Sequence, residues 1–331
     1  MLCLLCGKNK VSKILGVCAQ CIKDDFEKAE PLMKKAHEIS RERFGMSFSP
    51  PREGVPCGLC VNECRMREGE VGFCRVRKNE EGRIENVSSF VSAYYDLLPT
   101  NCVAMDFCEA KKECGKNLAV FYGACSYDCL FCQNWQFRLD KNVMTPEEIA
   151  GMADEETRCI CFFGGDPTPF IEHALATSSL SKKRICFETN GSLNPKRMEE
   201  VAQMSLHSGG TIKIDLKVFD ERLHLALCGT SNRNTMDNIE NLSLLSRKRK
   251  NFLVVSTLLV PYYIDVCEVK SIARFISHLS SEIPYVLLAF SPYYLMGDPP
   301  RTSRKQAEEC LSAAREYLKN VRLGNAWLAF S

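Results

Sequence analysis

From Leu118 onward the chain alternates short apolar runs with longer stretches of helical period. The runs at 118–125, 159–164, 184–188, 211–217, 252–260 and 285–290 are rich in β-branched and aromatic residues, and this pattern predicts strands. Between and after them, apolar residues recur near a 3.6 period at 146–155, 169–180, 195–208, 235–248, 267–281 and 304–319, which predicts amphipathic helices. Near-continuous apolar strands alternating with helices imply a parallel sheet covered by helices. Six such units fall short of the eight that close a full barrel. The expected α/β architecture is therefore an open, partial (β/α)6 barrel, with a flat doubly wound sheet as the alternative. In either case the chemistry belongs at the C-terminal ends of the strands.

The N-terminal third follows a different pattern. Residues 1–25 read C-x2-C, eleven residues, C-x2-C, through Cys3, Cys6, Cys18 and Cys21. Two such knuckles can hold four thiolates around one ion, so a zinc ribbon is expected, with rubredoxin-like iron or an iron–sulfur cluster as the alternative. Residues 26–56 supply a helix and a linker. Phe26, Ala29, Met33, Ala36, Ile39 and Phe44 form an apolar stripe that should pack on a neighbouring domain. Residues 57–117 form a cysteine-rich module. Cys57, Cys60, Cys64 and Cys74 can close a metal site, either an auxiliary cluster or zinc, and residues 76–84 read as strand, turn and strand. Cys102, Cys108 and Cys114 follow at intervals of six, a weaker signal. The remaining domain, 118–331, contains the strand–helix repeats.

The loop after the first strand carries Cys125, Cys129 and Cys132 at C-x3-C-x2-C spacing, with no cysteine or histidine in the next twenty residues. Three thiolates in a tight loop can hold three corners of a [4Fe–4S] cube and leave one iron open, whereas a structural zinc site wants four ligands. Buried structural cysteines are the plain alternative. The later strand ends carry Gly164-Gly165-Asp166-Pro167-Thr168-Pro169, Glu188-Thr189-Asn190-Gly191, Asp215-Leu216-Lys217, Pro261-Tyr262-Tyr263-Ile264-Asp265 and Ser291-Pro292-Tyr293-Tyr294. All six ends are expected to converge on one rim.

Composition narrows the picture in two respects. The net charge is +2, from 43 basic and 41 acidic residues, which argues against binding nucleic acid by bulk electrostatics. Twenty cysteines in 331 residues fall below the density of a disulfide scaffold, so the clustered ones point to metal. The scattered Cys159, Cys161, Cys186, Cys228, Cys267 and Cys310 are expected to pack as small apolar side chains. No apolar run reaches membrane-spanning length and the N-terminus lacks signal-peptide character, so a cytoplasmic chain is expected.

With these residues in view, the chain resembles the radical S-adenosylmethionine (radical SAM) superfamily. The C-x3-C-x2-C loop with Phe131 before its last cysteine matches the signature, and Gly164-Gly165-Asp166-Pro167 looks like the glycine-rich motif that contacts the methionine amino group. Thr189-Asn190-Gly191, Asp215-Leu216-Lys217 and Cys228-Gly229-Thr230-Ser231-Asn232 resemble the pyruvate formate-lyase activating enzyme branch, and the Cys57–Cys74 module is similar to the N-terminal segment of AmmeMemoRadiSam-type members. The fifth strand lacks an arginine expected for that branch.

The resemblance implies an activating-enzyme-like oxidoreductase. Cys125, Cys129 and Cys132 would ligate three irons, and the fourth would chelate S-adenosylmethionine. Reductive cleavage would give a 5′-deoxyadenosyl radical that abstracts hydrogen from a substrate. The cofactor contacts implied are Phe131 at the adenine, Gly164, Gly165 and Asp166 near the ammonium, Asn190 at a ribose or carboxylate oxygen, and Lys217 at the methionine carboxylate, with Thr189 and Asp215 also in the cofactor-binding set. The substrate implied is a protein activated as a glycyl radical, and the electron donor a ferredoxin or flavodoxin. The alternatives are a radical SAM transferase or small-molecule modifying enzyme, and a non-enzymatic electron carrier or zinc-ribbon adaptor.

Overall fold

The computed structural model describes residues 1–98 and 102–330. Its N-terminal knuckles lead into α1 (Ala19–Asp24) and α2 (Phe26–Glu42). The stripe predicted for α2 buries Ala29, Met33 and Ala36, and Ile39 is exposed instead. Next come two small antiparallel pairs, β1 (Val55–Pro56) with β2 (Arg65–Met66), and the hairpin β3 (Arg77–Glu80) with β4 (Arg83–Asn86). The Pro- and Gly-rich linker therefore ends inside a small sheet. Gly54 permits this, because a Cβ there would lie 2.1 Å from the Met66 carbonyl oxygen.

The chain then enters the large sheet. β5 (Val91–Leu97) lies antiparallel beside β6 (Lys116–Tyr122). Six strand–helix units follow: β6 with α3 (Pro146–Met152), β7 (Thr157–Gly164) with α4 (Ile171–Ser179), β8 (Arg184–Thr189) with α5 (Pro195–Ser208), β9 (Ile212–Asp215) with α6 (Glu221–Cys228) and α7 (Arg233–Ser246), β10 (Leu253–Leu259) with α8 (Val266–Leu279), and β11 (Tyr285–Ala289) with α9 (Arg304–Arg315). A short parallel strand β12 (Val321–Leu323) and α10 (Ala326–Phe330) close the chain.

Strand order runs from β12 to β5 without a break, and every pair from β6 to β12 is parallel. A doubly wound sheet needs a point where that order reverses, and none occurs here. With right-handed crossovers, an unreversed order puts every helix on one face, so the other face curls around an interior. Alternation along the strands shows both faces. Leu118, Val120, Ile160, Phe162, Ile185, Phe187, Ile212 and Ile214 pack in the main core with the helices. Their neighbours Asn117, Cys159, Cys161, Phe163, Cys186, Glu188, Thr211 and Lys213 line an interior chamber of about 490 Å³. The partial barrel is thus present, extended by β5 and β12 at its edges.

Three features depart from the sequence reading. β5 lies within the stretch read as the cysteine-rich module, yet it is an edge of the large sheet. Residues 102–108 also leave that module, because Cys102, Val103, Ala104, Phe107 and Cys108 pack against Val254 and Val286 inside the barrel. Helix α6 was not predicted, although Asp220 caps it and Gly229 ends it at φ +70°. No helix among the described residues is long and apolar enough to cross a membrane.

Candidate active site

The first strand delivers its three cysteines into a braced loop. Backbone amides of Asp128 and Leu130 donate to the Cys228 and Leu227 carbonyls at the end of α6 (2.9 and 3.0 Å). Asp128, between the first two cysteines, is buried. Its carboxylate accepts from Ser40 of α2 (2.7 Å) and Arg138 (3.1 Å), and lies 2.9 Å from His37 Nδ1. Burial alone would raise its pKa, but His37, Arg138 and Arg41 hold it below the ordinary carboxylate value. The N-terminal helix is therefore part of the loop's support, a role the sequence reading had not assigned to any of its residues. Gly229 is required at this junction, since a Cβ would come within 2.9 Å of His37 Nδ1 and 3.3 Å of Asp128.

The second and third loops meet through Asp166. Its carboxylate accepts from Thr168 N (2.8 Å), Asn190 N (2.7 Å) and Thr189 Oγ1 (3.0 Å). Burial raises the pKa of this carboxyl, against the pull of those donors. Asn190 in turn donates from Nδ2 to Ser126 Oγ (3.0 Å) and weakly to Cys125 Sγ (3.6 Å), so its amide serves the cysteine loop. Gly165 permits close packing of backbone on backbone. A Cβ there would lie 2.2 Å from the Ala124 carbonyl, so the first collision would be with the cysteine loop itself. On the fourth strand, Lys217 pairs with Asp215. Burial opposes the charge on Lys217, but Asp215 and Cys129 raise its pKa.

These groups surround one pocket of about 190 Å³. Cys125, Cys129 and Cys132 line it together with all eight residues expected to contact the cofactor. Three thiols, a half-buried lysine and a Gly-Gly-Asp loop in one concavity suit a cube with an open iron and an amino-acid ligand chelated to it. From the fifth and sixth strands only Leu258 and Leu288 reach the pocket, and the polar and aromatic loops that follow them do not. Tyr263 accepts from Ser12 N (3.0 Å), Asp298 accepts from Ser12 Oγ and Lys13 N, and Tyr294 bonds to Ser40. Those loops hold the N-terminal lobe in place.

Residues 119–276 match the family model described as the radical SAM superfamily. That stretch, just under half of the chain, is similar to radical SAM domains. Outside it the likeness to known proteins continues. An uncharacterized protein of Methanocaldococcus jannaschii is 28% identical over 290 residues, covering 82% of this chain and 81% of that protein. Another from the same organism, provisionally named a glycyl-radical enzyme activating enzyme, is 27% identical over 165 residues, covering 49% of this chain and 61% of its own length. Among solved structures, Streptococcus suis SuiB bound to precursor peptide SuiA aligns at 17% identity and TM-score 0.48, over 60% of this chain and 46% of that one.

Beyond the pocket of Cys125, Cys129 and Cys132, and sharing Gln133, Asn134, Phe163, Glu188 and Leu288 with it, lies the 490 Å³ chamber. Three cysteines expected to be scattered core residues face it: Cys159, Cys161 and Cys186, joined there by Cys102 and Cys108. Lys213 is buried among them, with Nζ 2.9 Å from Cys161 Sγ, 3.3 Å from Cys102 Sγ and 3.4 Å from Glu188. Residues so distant in sequence give no local signal. Cys114 is exposed and stays apart from this group.

The ribbon cysteines also come together. Cys3 Sγ is 3.9 Å from Cys21 Sγ, and Cys6 Sγ is 3.9 Å from Cys18 Sγ. A tetrahedral ion with metal–sulfur bonds of about 2.3 Å needs sulfurs roughly 3.8 Å apart. All twenty cysteines are free thiols, so none of the expected metal sets is taken up by disulfides.

Proposed function

We propose that this chain is a radical SAM enzyme that acts on a protein, in the manner of an activating enzyme. The observation that carries the reading is the single pocket uniting the three open-site cysteines with Gly165, Asp166, Asn190 and Lys217. When bound there and reduced, a [4Fe–4S] cluster would cleave S-adenosylmethionine and supply the radical that takes hydrogen from the substrate. The chain's own residues hold and shield. Lys217 offers its ammonium to a carboxylate, Asp166 ties two loops at the ammonium side, Phe131 walls the adenine side, and Asn190 steadies Cys125. The ribbon takes zinc as a closed four-thiolate site, and a ferredoxin or flavodoxin supplies electrons. The relatives provisionally named as glycyl-radical activating enzymes support a protein substrate.

The chamber favours a second reading. Its 490 Å³ lies in the range of small-molecule pockets, so a small substrate held near Glu188 and Lys213 is the alternative. The two readings separate in one experiment. Anaerobic enzyme, dithionite and S-adenosylmethionine are incubated with the protein fraction or the ultrafiltered small-molecule fraction of a cell extract, and 5′-deoxyadenosine is measured. Stimulation by the protein fraction is expected. Stimulation by the small-molecule fraction alone would overturn the protein reading.

A further inference from the structure

The four cysteines of the second module are arranged differently from the ribbon. Among the described residues, the ribbon is the only set of three or more cysteine, histidine or acidic side chains whose ligand atoms all lie within 4.8 Å of one another. Cys57, Cys60, Cys64 and Cys74 fail that test, yet all four line one small cavity. Sulfurs set apart around a space do not match a single tetrahedral ion, which draws its four ligands together. They match a polynuclear cluster, which holds each thiolate at a separate iron.

Two further polar residues border the same cavity. Thr168 is 1% exposed and its hydroxyl has no hydrogen-bond partner. Arg77 has 11% of its side chain exposed. Its Nη1 bonds to Asn86 and Glu172, while its buried Nε has no partner. Both residues line the cavity. A buried donor without an acceptor is costly, and a sulfur-rich anionic cluster would accept from both. A carboxylate-free site with one cationic neighbour also suits the negative charge of four thiolates.

The cavity lies beside the radical loop. Asn62, two residues after Cys60, donates to Ser126 O (2.6 Å) and weakly to Cys60 Sγ (3.7 Å). Val61 N donates to Ser192 O, and Asn194 N donates to Leu59 O, so the Cys60 turn is fastened to the third strand end. Cys74 and Cys125 both line one gap of about 10 Å³. Thr168 belongs to the same loop as Asp166, so that loop separates the module from the cofactor pocket.

We propose that Cys57, Cys60, Cys64 and Cys74 hold a second [4Fe–4S] cluster, with Thr168 and Arg77 as its hydrogen-bond donors, placed to pass electrons to the radical-loop cluster. Its relay role rests on the radical SAM reading. In each transfer the second cluster gives up one electron and the radical-loop cluster gains it. A low-potential donor of the ferredoxin class, or dithionite in the assay, restores the second cluster.

The test counts metals in the full-length chain, reconstituted anaerobically, and in the triple variant Cys125→Ala/Cys129→Ala/Cys132→Ala. Wild type should contain about eight irons and the variant about four, with a reduced-cluster electron paramagnetic resonance signal still present in the variant. A variant that holds no iron and about two zincs would overturn the proposal. If the triple variant does not fold, Cys57→Ser/Cys60→Ser/Cys64→Ser/Cys74→Ser decides instead: iron should fall from about eight to about four, and an unchanged content would overturn the site. Thr168→Val should keep all the iron but lower the reduction potential of one cluster, since a hydrogen bond to sulfur is lost. An unmoved potential would contradict the donor assignment. S-adenosylmethionine should change the wild-type signal and leave the triple variant's signal alone. If it changes neither, the radical SAM reading fails while the iron count still judges the second site.

Discussion

At the scale of single residues, Lys217 and His224 make opposite uses of burial. Lys217 keeps its charge because Asp215 faces it, and a ligand carboxylate can share that ammonium. Lys217→Ala should remove a charge-assisted contact of about 1.5–3 kcal/mol, roughly a tenfold to hundredfold loss in S-adenosylmethionine affinity. The cluster's absorbance should stay, and equilibrium dialysis against the reconstituted protein checks the binding. His224 lies edge-on to Tyr127 and donates from Nδ1 to Thr230 O (2.6 Å), and its Nε2 has no partner. Burial lowers its pKa to about 4. The unfolded chain therefore takes up a proton near pH 6.5 that the folded chain refuses, and stability falls as pH drops from about 6.5 towards 4. The loss is on the order of 3 kcal/mol. Anaerobic urea unfolding at pH 7 and pH 5 should show this slope in wild type and a flatter one in His224→Phe.

Among the elements, the telling contact joins α2 to the cysteine loop. Asp128→Ala would leave Arg138 and His37 buried without their carboxylate, at a cost of about 3–5 kcal/mol, and iron content should fall with it. Full iron and an unchanged unfolding midpoint would refute this role. The same contact changes how the N-terminus should be probed, because cutting the chain before Gly54 would remove His37 and Ser40 along with the ribbon. The strands and most helices of the barrel were legible because burial on both faces leaves continuous apolar runs. So was the pocket, because its residues sit at strand ends with short motifs. β5 was not, since Val91–Leu97 has neither a continuous apolar run nor an alternating burial pattern, and lay within a stretch read by its cysteines. The support from His37, and the gathering of Cys102 with Cys161 and Lys213, depend on contacts across 91, 111 and 52 positions. No local pattern encodes contacts of that span.

Over the whole molecule, the cysteines fall into sets distinguished by sulfur spacing. The ribbon is compact, the second module is spread around a cavity, and the loop of Cys125, Cys129 and Cys132 opens to a pocket. Cys3→Ser/Cys18→Ser should lose about one zinc per chain and leave iron unchanged, as elemental analysis would show. Loss of iron in place of zinc would assign the ribbon to iron. The N-terminal lobe contacts the loops after the fifth and sixth strands through Ser12, Tyr263 and Asp298.

The central claim is that the pocket at Cys125, Cys129 and Cys132 cleaves S-adenosylmethionine. Anaerobically reconstituted protein is given dithionite and S-adenosylmethionine, and 5′-deoxyadenosine is measured by mass spectrometry. Wild type should form it, and Cys125→Ala, Cys129→Ala and Cys132→Ala should each abolish it, because each thiolate holds its own iron. No product from iron-replete wild type, or undiminished product from the three variants, would contradict the account.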